Sequence, residues 1–329
     1  MNLGELTEEA RDRAIDKGSA VTDAKAQIIA RLLVKDLITR TGGWWLYDEH
    51  TFTTTASTGS YAFPSRFMKA LILFNTTNNK EVPPAHFRVE RADIDRSGSG
   101  TPECYSLTYL RDVQNQPSSA STVSVSSTSA SDTAANKHYF RLRGVDSNRL
   151  EIRETLSMNG SSSVTSTNTY LEVWTCRKAT SDSIATDTDD RYVSNGQYTV
   201  TSNSAGVTLV QLGADEPNRE FQWFRLYDVP DAADSYRLHF LRKPSEVSHK
   251  YDKLDIHDFL ENAALLWLEW YIKWFLLDKR DDKTWDFYIR ECAEKSVFLK
   301  KQEGERFARN TYQSGLYQPP AGYISRRAL

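Results

Sequence analysis

The run from Leu260 to Leu277 constrains this chain more than any other stretch. Phe259, Leu260, Ala263, Ala264, Leu266, Trp267, Trp270, Tyr271, Trp274, Phe275 and Leu277 cover most of a helix circumference, not one stripe. A helix that is apolar nearly all round is buried on several sides. The run is long enough to span a bilayer, which takes roughly 20 residues. Yet Glu261, Glu269 and Lys273 interrupt it, and charge inside a span is costly. The residues therefore predict a core helix of a bundle, with some faces left for another subunit. Asp255 suits the N-cap, and Asp258 suits the positive helix start at N3. The charged break Asp278-Lys279-Arg280-Asp281-Asp282 turns the chain. A second helix follows, with Trp285, Tyr288, Ile289, Cys292, Ser296 and Leu299 at i, i+3/i+4 spacing. The pair reads as a helical hairpin with a short connection.

Residues 5–41 read as two further helices. Thr7 is a plausible N-cap for the first, Glu8 and Glu9 lie in its first turn, and Gly18 ends it. Thr22 or Asp23 opens the second, which carries Ile28, Ile29, Leu32, Leu33, Leu37 and Ile38 and stops at Gly42-Gly43. This amphipathic helix is the natural partner of the C-terminal hairpin.

At Trp44 the pattern becomes β-prone. Trp44–Tyr47, Thr51–Thr55, Ala70–Phe74 and Tyr105–Leu110 predict strands separated by turns. From about Gln116 serine and threonine dominate, with strand candidates at Thr122–Ser126, His138–Gly144, Leu150–Thr155, Thr169–Cys176, Gln197–Thr201 and Val207–Leu212. Short strands at regular turn spacing indicate an immunoglobulin-like sandwich. The Cys–Trp–Cys pattern of antibody domains is missing, and the β-branched alternation is too persistent for a disordered linker. Phe221–Leu226 and Tyr236–Leu241 then return to the earlier strand pattern. The fold expected is α+β. Residues 1–42 and 255–304 form a helical bundle, 43–115 and 219–254 a small discontinuous β domain, 116–218 an inserted antiparallel β-sandwich, and 305–329 an extended tail.

A length of 329 residues fits about two domains. The formal net charge of −3 provides no global field for nucleic acid or an anionic membrane. Cys104, Cys176 and Cys292 are too widely spaced for a metal pair or disulfide framework, so a reducing compartment fits best. The N-terminus carries no apolar signal segment, so secretion by the usual route is not expected. The sequons at Asn75 and Asn159 therefore need no glycan.

A search for chemistry finds no catalytic set and no cofactor motif. His50, His86, His138, His239, His249 and His257 are scattered without an HExxH pair, and no nucleophile elbow, P-loop or dinucleotide fingerprint occurs. The best metal candidate is Asp93-Ile94-Asp95-Arg96-Ser97-Gly98, which copies the opening of a calcium loop. Its twelfth position is Cys104 where glutamate belongs, so a solvated turn is the preferred reading. Asp187, Asp189 and Asp190 form a second acidic loop, also read as solvated. No enzyme, cofactor or metal site is expected. The tail carries Arg306, Arg309, Tyr312, Tyr317, Tyr323, Arg326 and Arg327 around Pro319-Pro320, residue types suited to docking on a partner.

The order of short motifs then becomes informative. Tyr61-Ala62-Phe63-Pro64-Ser65-Arg66-Phe67, a hydrophobic strand, and Gly100-Thr101-Pro102-Glu103-Cys104-Tyr105 resemble the "Tyr-x-Leu-Pro-x-x-Phe … Gly-x-Pro-x-x-Tyr" pattern of tailed-phage head-to-tail connector proteins. These are the portal adaptors of the tail tubular or gatekeeper type. Tyr236 to Pro244, a strand ending in proline, followed by acidic residues and the helix Leu254–Leu277, resembles that family's next landmark. The resemblance covers about two thirds of the chain, outside the insert, which the simplest members lack.

What the resemblance implies is a non-enzymatic virion protein of the head–tail neck, synthesised in the host cytoplasm. Copies assemble as a homo-oligomeric ring, usually of twelve, coaxial with the portal protein. Tail nozzle, tail tube or tail-fibre proteins bind below. Double-stranded DNA passes through the lumen without sequence-specific binding, and no membrane is involved. Trp267, Trp270, Tyr271, Trp274, Phe275 and Trp285 would serve bundle and inter-subunit packing, and the tail residues would dock on the portal. The alternative is a glycan- or receptor-binding structural protein, with Trp174 and Tyr170 of the sandwich lining a sugar site.

Overall fold

The computed structural model describes residues 2–14, 23–85, 98–182, 194–245, 251–277 and 281–313. It is mixed α+β, with several antiparallel sheets and four α-helices among the described residues. These are α1 (Leu3–Ala14), α2 (Asp23–Thr41), α3 (Glu261–Tyr271) and α4 (Asp282–Gln313). The chain divides into two compact units. One holds Met1–Thr51, Met68–Glu81 and Tyr236–Leu329; the other holds Phe52–Phe67 and Val82–Ser235.

In the helical unit all four helices contribute to one apolar core. Leu3, Leu6 and Ala10 of α1, Ile29, Leu33 and Leu37 of α2, Ala264, Trp267 and Leu268 of α3, and Tyr288 and Cys292 of α4 are buried in it. Helix α1 starts earlier than Thr7 predicts. The Asn2 carboxamide accepts from Glu5 N–H at 2.8 Å, and the Glu5 carboxylate accepts from Asn2 N–H at 2.9 Å. This reciprocal box satisfies two orphan donors at the helix start. Thr7 is instead buried inside the helix, its hydroxyl donating to Leu3 O at 2.7 Å. Helix α2 opens at Asp23 and stops at Gly42-Gly43, both at positive φ (80° and 67°), where glycine ends a helix without steric cost.

The expected start of the third helix is also displaced. Asp255 does not cap it; its carboxylate pairs with the Arg242 guanidinium and accepts from Ser245 N–H at 2.8 Å. The start is a 3₁₀ turn, Asp258–Leu260, capped by His257, whose Nδ1 accepts from Phe259 N–H at 3.3 Å. Helix α3 then widens into a π turn, Ile272–Leu276, where Leu277 N–H reaches Ile272 O at 3.1 Å, five residues back. Helix α4 runs to Gln313, so residues 305–313, expected in an extended tail, are helical. The unit also holds a sheet in the order Tyr47–Thr53, Ser235–Arg242, Phe67–Asn75, Lys80–Glu81. Trp44–Leu46, expected as β, forms a 3₁₀ turn ahead of it. Asn75 is fully buried and its amide donates to the Tyr236 hydroxyl at 3.1 Å, which closes that sequon to a glycan in the folded chain.

In the second unit two antiparallel sheets share one apolar core. The first runs Val164–Thr165, Val123–Ser127, Tyr198–Ser202, Thr208–Leu212; the second runs Glu172–Ala179, Tyr139–Val145, Glu151–Ser157. Strands Val123–Ser127 and Tyr198–Ser202 alternate buried and half-buried residues, as the period-two pattern requires. Val125, Phe140, Val173, Cys176, Tyr198 and Val200 meet in the core. A third sheet, Ser60–Ala62, Phe221–Tyr227, Cys104–Arg111, belongs to the same unit. Here the expected β domain (43–115 and 219–254) is divided, because Val113, Phe221 and Trp223 are buried in the core that 116–218 was expected to keep to itself. The indole N–H of Trp223 donates to Val113 O at 2.9 Å, and Gln116 exchanges two bonds of 2.8 Å with Val173.

The motif residues cluster around Phe224 of this third sheet. Phe63 stacks on Phe67 at 4.4 Å and on Phe224 at 4.0 Å, with Tyr105 edge-on at 6.3 Å. Tyr61 lies 6.0 Å from Phe224, and its hydroxyl donates to Thr58 O at 2.7 Å. Aromatic pairs at such separations add about 0.5–1.5 kcal/mol each beyond their burial.

Candidate functional site

An aromatic groove on the helical unit gathers five of the six residues expected to serve packing. Leu32, Lys35, Asp36 and Thr39 of α2 form one wall; Trp267, Trp270, Tyr271 and Phe275 form the other, with Trp285 of α4 between them. The groove encloses about 360 Å³. Trp267 is 5% exposed and stacks on Tyr271 at 5.1 Å. Trp270 is 4.2 Å from Trp285, 5.7 Å from Trp274 and 5.9 Å from Phe275. Tyr271 and Phe275 are 4.9 Å apart.

The six expected packing residues therefore do lie together, but they divide by burial. Trp267 belongs to the core, and Trp270, Tyr271 and Trp285 are half-buried. Trp274 and Phe275 are 37% and 60% exposed. The two exposed rings lie in the π turn itself, Ile272–Leu276, where i→i+5 bonding changes the angular spacing of the side chains. Ile28 and Leu32 of α2 are likewise exposed, at 58% and 45%. Their exposure was readable in the sequence, because six apolar positions on α2 span a wider arc than one neighbour covers.

The charges inside the apolar run find partners within the fold. Lys273 Nζ is 2.6 Å from both Glu269 and Asp281. Asp281 also caps α4, accepting from Thr284 N–H at 3.1 Å and from the Thr284 hydroxyl at 2.7 Å. Burial works to raise the Asp281 pKa, yet the Lys273 and Thr284 bonds prevail and hold it at about 2. On α2, Asp36 accepts from Arg40 Nε at 2.8 Å and from the Tyr288 hydroxyl. The Arg40 guanidinium lies 4.9 Å from the Trp285 ring centre and 5.4 Å from that of Tyr288. Burial, reinforced by Asp36, pushes the Tyr288 hydroxyl well above its ordinary range. Burial also pushes the Cys292 thiol up to about 11, which keeps it from acting as a nucleophile at neutral pH. The groove thus offers apolar and aromatic surface, with Asp36 paired to Arg40 and Lys35 exposed along its α2 wall.

Arg306, Arg309 and Tyr312 lie on the backbone of α4; their side chains, and the whole of Tyr317, Tyr323, Arg326 and Arg327, are outside the described residues. The acidic loops at Asp93–Ser97 and Asp187–Asp190 are outside them too. Among the described residues no group of three or more His, Cys, Asp or Glu is placed to hold a metal ion, and no helix is long and apolar enough to cross a membrane. The sugar site imagined on the insert loses a wall. Tyr170 is fully buried in the core, and Trp174 has the Arg143 guanidinium 5.7 Å from its ring centre.

Asp112 is the second unit's most perturbed carboxyl. Burial raises its pKa to about 6, against the bond it accepts from Cys176 N–H at 3.1 Å. An acid whose folded pKa lies above its unfolded value stabilises the fold only while protonated. Stability is therefore lost as pH rises from about 4 to about 6. Asp112→Asn should keep the acceptor and remove the charge. We expect it to raise the melting temperature at pH 8, with the gain vanishing near pH 4. A variant less stable than the parent at pH 8 would show that the carboxylate's bonds outweigh its burial.

No protein-family model matches this chain, and no curated protein sequence matches it.

Proposed function

We propose that this chain is a structural, ring-forming protein of the phage head-to-tail connector type. In this reading the four helices act as a bundle and the two-sheet part as an inserted immunoglobulin-like sandwich. The observation that carries it is the exposed apolar surface at the groove: Leu32 and Phe275 line it and are exposed, as is Trp274 beside half-buried Trp270, with Ile28 exposed one turn before Leu32 on α2. Contiguous exposed apolar surface marks an interaction site. Neighbouring copies would cover this face and close the ring. The packing of Tyr61, Phe63 and Tyr105 on Phe224, with Phe67 stacked on Phe63, also supports the reading, since it gives the separate family-like motifs one shared structural reason. Residues at the end of α4 and beyond would dock on the portal, and the sheet-rich unit would meet tail components. The small net charge suits a channel that lets duplex DNA slide, because tight phosphate binding would hold it.

The test is light scattering and negative-stain imaging of the purified chain, alone and mixed with the portal protein. The expected particle is a ring with an open channel about 20–40 Å across, wide enough for a duplex. A monomer under both conditions would overturn the proposal.

A further inference from the structure

A second groove adjoins the first along α2, sharing Lys35 and Thr39 with it, and has a different character. It encloses about 520 Å³ and is lined by α2 together with Met68 and the segment Lys243–Ser245. Its floor is apolar: Val34, Ile38 and Met68. Its rims are cationic, with Arg31 and Lys35 on α2 and Lys243 opposite, and no carboxylate belongs to the lining. Arg31 and Lys35 are one α-helical turn apart, so they form a row parallel to the row Val34, Ile38. Lys35 and Lys243 are exposed and make no ion pair among the described residues.

We infer that this groove takes an acidic amphipathic segment of a partner protein. Its carboxylates would face the two cationic rims, and its apolar side chains would lie on the floor between them. Helix-in-groove recognition combines these two elements, apolar anchors for affinity and charges for register and encounter rate. A phosphate backbone would satisfy the rims but leave Val34, Ile38 and Met68 uncovered, and no aromatic ring lines the groove for a base to stack on. The chain's own net charge of −3 makes this a local feature, not a general affinity for anions. The inference does not rest on the connector reading, but Lys35 and Thr39 also line the aromatic groove, so light scattering on the charge-reversal variant separates a loss of peptide binding from a loss of self-association.

The experiment uses the full chain and a short fluorescent peptide of repeated Glu-Leu-Leu-Glu units, with binding followed by anisotropy. Three controls accompany it: a peptide with Lys for Glu, one with Ser for Leu, and a short DNA duplex. The double charge reversal Lys35→Glu with Lys243→Glu should weaken the Glu/Leu peptide about tenfold or more. Both sites are exposed, so circular dichroism melting of this variant should match the parent. Raising salt from about 0.05 M to about 0.5 M should weaken binding by a similar factor, because rim charges are screened. The Lys and Ser peptides should bind at least about tenfold more weakly than the Glu/Leu peptide. Absent binding of the Glu/Leu peptide, or binding indifferent to the double reversal, would overturn the inference. So would a duplex that binds more tightly than the peptide and is lost in the same variant, which would reassign the groove to nucleic acid.

Discussion

Trp267→Ala should lower the unfolding free energy of the helical unit by about 3–5 kcal/mol, the range for emptying a buried tryptophan site. The side chain is 5% exposed, stacks on Tyr271 and lies in a core to which all four helices contribute. Its neighbours are fixed from several helices, so the cavity has little freedom to collapse. Phe275→Ser is the contrasting change. That ring is 60% exposed, and its removal should alter unfolding by no more than about 0.5 kcal/mol, as for most surface substitutions. If the exposed face joins copies, Phe275→Ser should instead weaken assembly about tenfold or more, the effect of losing an aromatic anchor. Urea unfolding and light scattering on both variants separate the roles. Equal losses of stability would show that Phe275 is core and remove it from the interface. Unchanged assembly in Phe275→Ser would move the interface elsewhere.

Much of this fold was legible because its signals are periodic. The strand at Tyr198–Ser202 follows from an alternation that no helix satisfies, and α2 follows from its apolar spacing and the glycine pair that stops it. Caps were less legible. Thr7 and Asp255 have the right chemistry for a helix start, but local competition decided otherwise. Asn2 and Glu5 cap α1 reciprocally, and Arg242 claims the Asp255 carboxylate. The latter contact joins positions that only the fold brings near. The insert boundary failed for a related reason. Composition shifts at about Gln116, but burial does not respect composition. Val113, Phe221 and Trp223 lie outside the serine/threonine-rich stretch and still pack in its core. A deletion cut at 117 and 218 would therefore strip these residues of their covering, and would test stability more than function.

The π turn explains why the groove itself was only half legible. Eleven apolar residues in one run predict burial on several sides, and from Leu260 to Ile272 the apolar residues are buried or half-buried, though Phe259 at the start is 44% exposed. One wider turn then presents Trp274 and Phe275 outward. No residue type announces such a turn, so the sequence predicts the aromatic cluster but not which members face solvent.

The largest effect expected in the second unit belongs to Asp132. Its side chain is fully buried, and both oxygens are engaged. Oδ2 accepts from the Ser127 hydroxyl at 2.5 Å and from Gly196 N–H at 3.1 Å. Oδ1 accepts from Asn195 N–H at 2.9 Å and from the Asn195 amide at 3.1 Å, with His138 Nε2 at 3.7 Å. The turn is closely built around it: a Cβ on Gly196 would lie 2.6 Å from Ser129 N. Asp132→Ala leaves these donors without their acceptor and should cost about 3–5 kcal/mol, as breaking a buried charged network does. Nearby Lys178 should suffer as well. Burial already pulls its pKa down to about 8, and Asp132 is the first of the charges that oppose this. Burial works to raise the Asp132 pKa, but its hydrogen bonds prevail and hold it below the ordinary range. A carboxyl depressed in the folded state contributes stability above its unfolded pKa, about 3.9, and loses it as pH falls through the folded value. Asp132→Asn, which keeps one acceptor, should therefore be less stable than the parent at pH 7. The two should converge as pH falls below about 4, where the parent's advantage is titrated away. A stability gap independent of pH would mean that shape, not charge, is what this turn needs from residue 132.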